Sequence, residues 1–301
     1  MTQDTIKADW IAVDWGTSNM RAWAMSASGT VLAEAGSDQG MGQLARDAFE
    51  PALLAVVRDW IDGPTTVIAC GMVGSRQGWV EAPYATAPCG TLPDGLVQAP
   101  TTHPDLSVYV IPGIKQISPA DVMRGEETQI SGFLTRNPRW DGVICLPGTH
   151  TKWVHVSADE VVSFQTFMTG ELFDTISRQT VLRHSIAADG WDDAAFSEGL
   201  DMGTSRPERL AARLFSLRAK GLLEGMSGSA ARAELSGLLI GTELAAAKPY
   251  WLGQQIAVIG DSSLAKLYVD ALATQAAPAT QVNAPAITLA GLAAAYKRLK
   301  G

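Results

Sequence analysis

The stretch Trp10-Ile-Ala-Val-Asp-Trp-Gly-Thr-Ser-Asn-Met-Arg-Ala-Trp-Ala-Met25 can fold in few ways. Ile11 to Val13 form a short apolar β run, Gly16 permits a sharp reversal, and the apolar pattern resumes at Met20, so the segment reads as strand, tight polar turn, strand. The tip offers hydroxyls, an amide and backbone N–H groups from Gly16, Thr17, Ser18 and Asn19, a donor set that can hold an anion. Asp14 sits just before the turn, where phosphate would repel it unless a divalent cation came between them. The pairing points to a magnesium-bound nucleotide rather than bare phosphate, with Asp14 facing the metal. A plain β-hairpin accounts for the turn equally well when it is taken alone.

The same logic recurs past the middle of the chain. Gly142 to Leu146 reads as a strand, Pro147-Gly-Thr-His-Thr-Lys152 as a polar turn, Trp153 to Val156 as a second strand and Val161 to Gln165 as a third. In the first half Val31 to Gly36 closes the corresponding meander. Sequence similarity between the halves is weak, yet the repeated order predicts two structurally related lobes. In the second turn Gly148, Thr149 and Thr151 supply N–H and hydroxyl donors, and Lys152 adds positive charge. A third turn, Gly260-Asp-Ser-Ser263, lies between a buried strand at Ile256 to Ile259 and a helix striped with Leu264, Leu267, Tyr268, Ala271 and Leu272. There a nucleotide base or ribose could pack on Gly260 and Ser262, or Asp261 or Ser262 could simply cap the helix.

A length of 301 residues suits about two domains. We expect an N-terminal lobe over 1–136 holding substrate and phosphate, a nucleotide-binding lobe over 137–286, and a final helix over 287–301 packing back on the first lobe. The net charge of −8 argues against nucleic acid or an anionic membrane as partner, and an anionic substrate would need its own local donors. Cys70, Cys89 and Cys145 form no closely spaced pair, and the four histidines show no metal-ligand spacing. With neither a signal-peptide core near the start nor an apolar run of membrane-spanning length, a soluble cytoplasmic protein is expected. A homodimer is compatible with the sequence.

Between the two meanders, a helix is expected over Glu50 to Ile61, a strand at Thr66 to Cys70 and another at Ser107 to Ile111. Ser118-Pro-Ala-Asp121 carries a helix-opening signature, so a helix is expected from there to about Leu134, with a break at Gly125. That segment supplies the acids for a phosphoryl transfer to an alcohol, which needs an acceptor for the hydroxyl proton. The candidates are Asp121, which a capping box would occupy, and Glu126, which the glycine could aim toward a substrate. Gly71 to Pro104 is rich in Gly, Pro, Thr and Ala, and so long an irregular stretch is usually functional. Within it Ser75, Arg76, Trp79 and Tyr84 are candidates for holding a small substrate, Arg76 through a carboxylate. The region beyond Phe167 reads as mainly helical, with Gly237 and Gly241 placed to let another helix approach, and the chain ends in a helix at about Ile287 to Leu299.

Asp14-Trp-Gly-Thr-Ser-Asn-Met-Arg21 resembles the first phosphate motif of the sugar kinase, Hsp70 and actin superfamily, Leu146 to Lys152 its second, and Val258 to Ser263 its adenosine motif. More specifically, Asp14 to Trp23, Gly71 to Tyr84, Met123 to Gln129, Leu146 to Trp153 and Phe167 to Phe173 are similar to the 2-dehydro-3-deoxygalactonokinase family. The resemblance implies a two-lobed actin-like ATPase (ribonuclease H-like) fold, each lobe a mixed sheet flanked by helices, with an interlobe cleft. It also implies ATP and Mg²⁺, and phosphorylation of the C6 hydroxyl of 2-dehydro-3-deoxy-D-galactonate in galactonate breakdown. An exopolyphosphatase-like phosphohydrolase and a non-catalytic ATP-switched protein are the competing readings. Gly125-Glu-Glu127 is similar to the acidic motif of exopolyphosphatases.

Overall fold

The computed structural model describes residues 6–301, and divides the chain into two compact units. One unit runs to Trp140 and takes in 157–163 and 284–301; the other comprises 141–156 and 164–283. Residues 1–5, part of the stretch scanned for a signal peptide, lie outside the described residues.

In the first unit Trp10–Trp15, Met20–Met25 and Val31–Ser37 form an antiparallel meander. Trp10–Trp15 then pairs in parallel with Thr65–Cys70, which pairs in parallel with Leu106–Val110. The strand Trp10–Trp15 is buried at every position but Asp14, because both faces of the sheet are covered. Its period-two alternation sorts the side chains. Ile11, Val13 and Trp15 meet Phe49, Leu53 and Val57 of the helix Phe49–Val57, whereas Trp10 and Ala12 meet Leu292 and Ala295 of the terminal helix Ala284–Lys300. Trp10 stacks on Tyr296 with ring centroids 4.3 Å apart. Each such side chain contributes about 1.5–3 kcal/mol through burial, so the apolar run that carries Asp14 is firmly anchored on both faces.

In the second unit Gly142–Leu146 pairs antiparallel with Thr151–Ser157 and parallel with Ile256–Gly260, which pairs in parallel with Ala279–Asn283. This reproduces the order of the first sheet, hairpin strand next to two parallel strands, as the repeated meander predicts. Beyond it lie the helices Thr169–Gln179, Asp193–Ser205, Leu210–Leu223, Gly228–Ala246 and Ser262–Thr274. Gly237 and Gly241 do admit a neighbour. A Cβ on Gly237 would stand 2.2 Å from the Phe196 carbonyl oxygen, and one on Gly241 2.4 Å from that of Leu200, so Asp193–Ser205 lies directly on the glycine face of Gly228–Ala246.

Three segments differ from expectation. Asp121 opens no helix: Asp121–Met123 is a strand paired antiparallel with Gly113–Gln116, which itself pairs with Tyr84–Thr86 in a separate three-stranded sheet. Backbone pairing with a neighbour overrides the local capping signature, and the helix begins at Glu126 after Gly125, whose φ of 106° no other residue type adopts readily. The stretch after Cys70 is more ordered than its composition suggests, with a 3-10 turn at Met72–Gly74. Finally, Ala279–Asn283 is a half-exposed edge strand, too short and polar to announce itself.

The glycine crossing yields a test. Gly237→Val should lower the unfolding free energy by about 3 kcal/mol through overpacking, read as a reduced urea midpoint with an unchanged slope; wild-type stability would refute the close crossing.

Candidate functional site

The first polar turn is held from behind. Its carbonyls are taken by the segment Gly40–Gly42: Met41 N–H donates to Gly16, Gly42 N–H to Thr17 and Gly40 N–H to Ser18, at 2.9–3.1 Å. A Cβ on Gly40 would stand 2.2 Å from the Ser18 carbonyl carbon, so only glycine lets the two backbones meet. With the acceptors engaged, Thr17, Ser18 and Asn19 stand exposed with their donors available to solvent. Sequence reasoning missed this support, although Gly40-Met-Gly42 was its visible signal. At the base of the turn Asp14 is partly exposed, and Oδ2 accepts a hydrogen bond from Arg21 Nη2 across the strand pair at 2.7 Å.

The acidic segment is brought to the same end of the sheet. A Cβ on Gly125 would lie 3.3 Å from the Gly71 Cα, and Gly71 directly follows Cys70, the residue opposite Asp14. Glu126 Oε2 accepts from the Arg124 N–H at 3.0 Å. Glu127 is fully buried; its Oε2 accepts from the Gly125 N–H at 2.6 Å and its Oε1 from the Thr128 hydroxyl at 3.0 Å. Burial pushes the Glu127 carboxyl up to about 8, and the neighbouring Glu126 charge adds to the rise. Asp121 lies elsewhere, at the Gln116 end of the three-residue strand, where Oδ1 accepts from the Val122 N–H at 2.7 Å. One residue, Val122, separates it from Met123, two steps or roughly 7 Å along the strand.

Of the substrate-loop residues, Ser75 is buried and the Arg76 side chain is exposed, its carbonyl accepting from Arg46 Nη2 at 2.7 Å. Trp79 is a correction: it is 4% exposed, stacks on Phe49 at 6.2 Å, and donates its indole N–H to the Pro100 carbonyl. An indole so enclosed is core beneath the loop and offers no face to a ligand. Tyr84 carries the guanidinium of Arg124 over its ring at 4.2 Å.

In the second unit the polar turn lies against the N-terminus of helix Thr169–Gln179. A Cβ on Gly170 would stand 2.3 Å from the Gly148 carbonyl oxygen, and the Glu171 N–H donates to Thr149 at 3.0 Å. His150 Nε2 lies 2.5 Å from Glu171 Oε2. Gly148 and Thr149 remain accessible, whereas Thr151 and Lys152 do not act as the sequence suggests. Thr151 is 1% exposed with its hydroxyl 3.1 Å from that of Tyr268, and Lys152 is 6% exposed with Nζ donating to the His150 carbonyl at 3.1 Å. Thr149 stands on the exposed turn, whereas Thr151 and Lys152 open a strand whose first four positions are all buried.

Beneath the turn lies Glu243, 2% exposed. It accepts from Trp153 Nε1 and the Tyr268 hydroxyl, both at 2.8 Å, and from the Thr169 hydroxyl. Burial pushes its carboxyl up to about 7 against these bonds, which lower it. Gly260 abuts Pro147, whose ring and carbonyl would lie 3.3 Å from any Cβ there. Asp261 caps helix Ser262–Thr274, accepting from the Ser263 hydroxyl and from the Ser263 and Leu264 N–H groups, and those bonds, the hydroxyl's first, hold its carboxyl below the usual range. Together Gly148, Thr149, Gly170, Ser263, Leu264 and Leu267 line part of a pocket of about 850 Å³, with Phe173, Leu239 and Ile240 among its other walls.

Residues 14–295 match the family described as 2-keto-3-deoxy-galactonokinase. A Rhizobium meliloti (strain 1021) protein named Probable 2-dehydro-3-deoxygalactonokinase is 40% identical over 299 residues, covering 96% of each chain. The 2-dehydro-3-deoxygalactonokinase of Escherichia coli (strain K12) is 32% identical over 288 residues, covering 95% of this chain and 96% of its own. A crystal structure of a Sinorhizobium meliloti protein assigned to the same kinase superposes with a TM-score of 0.89 at 39% identity, covering 96% of each chain.

The buried carboxyl of Glu243 makes stability pH-dependent. Its pKa is about 7 in the fold against 4.5 ordinarily, so between those values the native protein holds a proton that the unfolded chain has released. Stability conferred by that proton is present at acid pH and lost as pH rises through about 7, by about 3 kcal/mol in all. Glu243→Gln should therefore show a shallower decline than wild type when urea unfolding is compared from about pH 5 to about pH 8; superimposable slopes would contradict the buried protonated form.

Proposed function

The chain belongs to the 2-keto-3-deoxy-galactonokinase family, and from that premise we propose how its residues carry out ATP-dependent phosphorylation of 2-dehydro-3-deoxy-D-galactonate at the C6 hydroxyl. The observation that carries the reading is the second-unit pocket, where an exposed phosphate-type turn and a capped helix start border a largely apolar chamber. That combination suits a nucleotide: the base and ribose pack against Leu264 and Leu267, with Gly260 and Ser262 on the turn that leads into them, and the phosphates meet the Gly148 and Thr149 donors. The exposed Thr17, Ser18 and Asn19 hold the transferable phosphate, beside Gly16, whose N–H is donated to the Asn19 carbonyl. The carbonyls of all four residues are already engaged, which aims the turn at an anion.

Asp14 is the residue for Mg²⁺. Among the described residues no three His, Cys, Asp or Glu side chains gather to cage a metal, and a single partly exposed carboxylate suits an ion that keeps several waters and shares the nucleotide phosphates. When bound, the ion neutralises phosphate charge as the phosphoryl group transfers. Arg21 holds the Asp14 carboxylate in its orientation.

Glu126 accepts the proton of the attacking hydroxyl. It starts the helix beside Gly71, at the Asp14 end of the sheet, while Glu127 with its raised pKa is largely protonated at neutral pH and fastens the turn. Asp121 is the second candidate and is placed less well, at the far end of its strand. The sugar acid occupies the loop 71–84. No helix among the described residues is long and apolar enough to cross a membrane, and we place the reaction in the cytoplasm, where ATP is available.

An ADP-release assay with the galactonate-derived acid, its gluconate-derived epimer and a no-sugar control tests the reading. ADP should form with sugar acid and not without it; release in the control alone would identify a phosphohydrolase. Glu126→Gln should lower kcat by about 10²–10⁴-fold with little change in either KM, and Asp121→Asn by far less; the reverse order would move the base to Asp121.

A further inference from the structure

Arg124 occupies an unusual electrostatic position. It is only 8% exposed, yet no carboxylate is paired with its guanidinium among the described residues. Nη2 donates to the Ala82 carbonyl at 2.7 Å, Nε approaches the Tyr84 hydroxyl at 3.4 Å, and the whole group lies over the Tyr84 ring. Nη1 is buried with no hydrogen-bond partner. These contacts engage dipoles and a π face, and leave the charge itself uncompensated. A buried unpaired cation is expensive, so folds normally provide a counter-ion.

The surroundings of Nη1 point to what completes it. A Cβ on Gly74 would stand 2.9 Å from Nη1, so glycine is the residue that leaves the guanidinium its space. Ser75 comes next in the chain, 5% exposed, and its hydroxyl is a second buried donor group without a partner. The 3-10 turn Met72–Gly74, the Ala82 N–H bond to Gly74 and the Trp79 N–H bond to Val73 fold this loop around Arg124. An unsatisfied hydroxyl on this loop and an unsatisfied guanidinium nitrogen packed against Gly74, the residue before Ser75, are more than packing explains, because each is costly to bury unpaired.

We propose that Arg124 and Ser75 form the receptor for the carboxylate of the sugar acid, and that this pair, rather than the exposed Arg76, determines selectivity for an acid over a neutral sugar. This rests on the kinase reading above. A carboxylate supplies the missing charge to the guanidinium and acceptors to Nη1 and the Ser75 hydroxyl, the geometry for which arginine is suited. Both atoms are closed to solvent, so binding requires the loop to yield and admit the ligand. The site lies at the turn into Gly125 and Glu126, which brings the acid end of the substrate onto the same segment as the proposed base.

The test compares the sugar acid with its neutral carboxamide in the ADP-release assay, for wild type, Ser75→Ala, Arg124→Lys, Arg124→Met and Arg76→Ala. Wild-type turnover is measured first, so a dead wild-type enzyme counts against the kinase reading alone. With an active wild type, Arg124→Met should raise KM for the acid about 100-fold and bring the acid-to-amide preference close to unity, leaving KM for ATP within about twofold. Ser75→Ala should raise the same KM about tenfold, and Arg124→Lys should recover part of the preference. Melting temperatures of all variants are recorded. If Arg124→Met destabilises the fold, the acid-to-amide ratio of Ser75→Ala and Arg124→Lys still decides, since a structural defect affects both substrates alike. An unchanged ratio in the Ser75 and Arg124 variants, or its loss in Arg76→Ala instead, overturns the assignment.

Discussion

The second unit is organised around one buried carboxylate. Glu243 reaches out of helix Gly228–Ala246 and takes hydrogen bonds from Trp153 on a hairpin strand, Thr169 at the first turn of a helix, and Tyr268 on the helix after the Gly260 turn. The three helices among them border the pocket. Burying an acid among apolar side chains is costly, and three donors offset that cost only when all stand in place. The hub therefore ties the position of the phosphate-type turn to that of the helix start opposite it. Thr151, read from sequence as a ligand donor, is instead part of this internal network.

Close backbone approaches play the equivalent part elsewhere. Gly170 lets the helix N-terminus touch Gly148, Gly40 lets its loop grip the first turn, and Gly125 meets Gly71. In each case the absence of a Cβ converts a turn into a supported turn. A supported turn keeps its carbonyls engaged and its N–H groups outward, which is the arrangement an anion needs. Among the described residues three buried side-chain donors lack a partner, Ser75 Oγ, Arg124 Nη1 and the Trp140 indole N–H, and the first two fall beside the same Gly74 turn, where a ligand would satisfy both.

Much of this was legible in the chain itself. Period-two alternation in Trp10–Trp15 sorts residues between two faces wherever the strand sits, so the strand, its turn and the exposed Thr17–Asn19 tip followed from local chemistry. The repeat at Gly142–Leu146, the glycine face of Gly228–Ala246 and the apolar stripe after Gly260 were readable for the same reason. Motif resemblance supplied the kinase family, which the whole-chain match to its relatives shows.

Tertiary structure decided what depends on residues distant in sequence. The signature at Ser118 to Asp121 is local, and it yielded to pairing with Gly113–Gln116, which the signature cannot contain. Trp79, Thr151 and Lys152 carry suitable chemistry, but whether a side chain faces a ligand or the core depends on which element covers it. Arg124 and Arg76 are equally basic as letters. Only the fold buries one without a counter-ion and leaves the other in water, because burial and pairing are properties of three-dimensional neighbours.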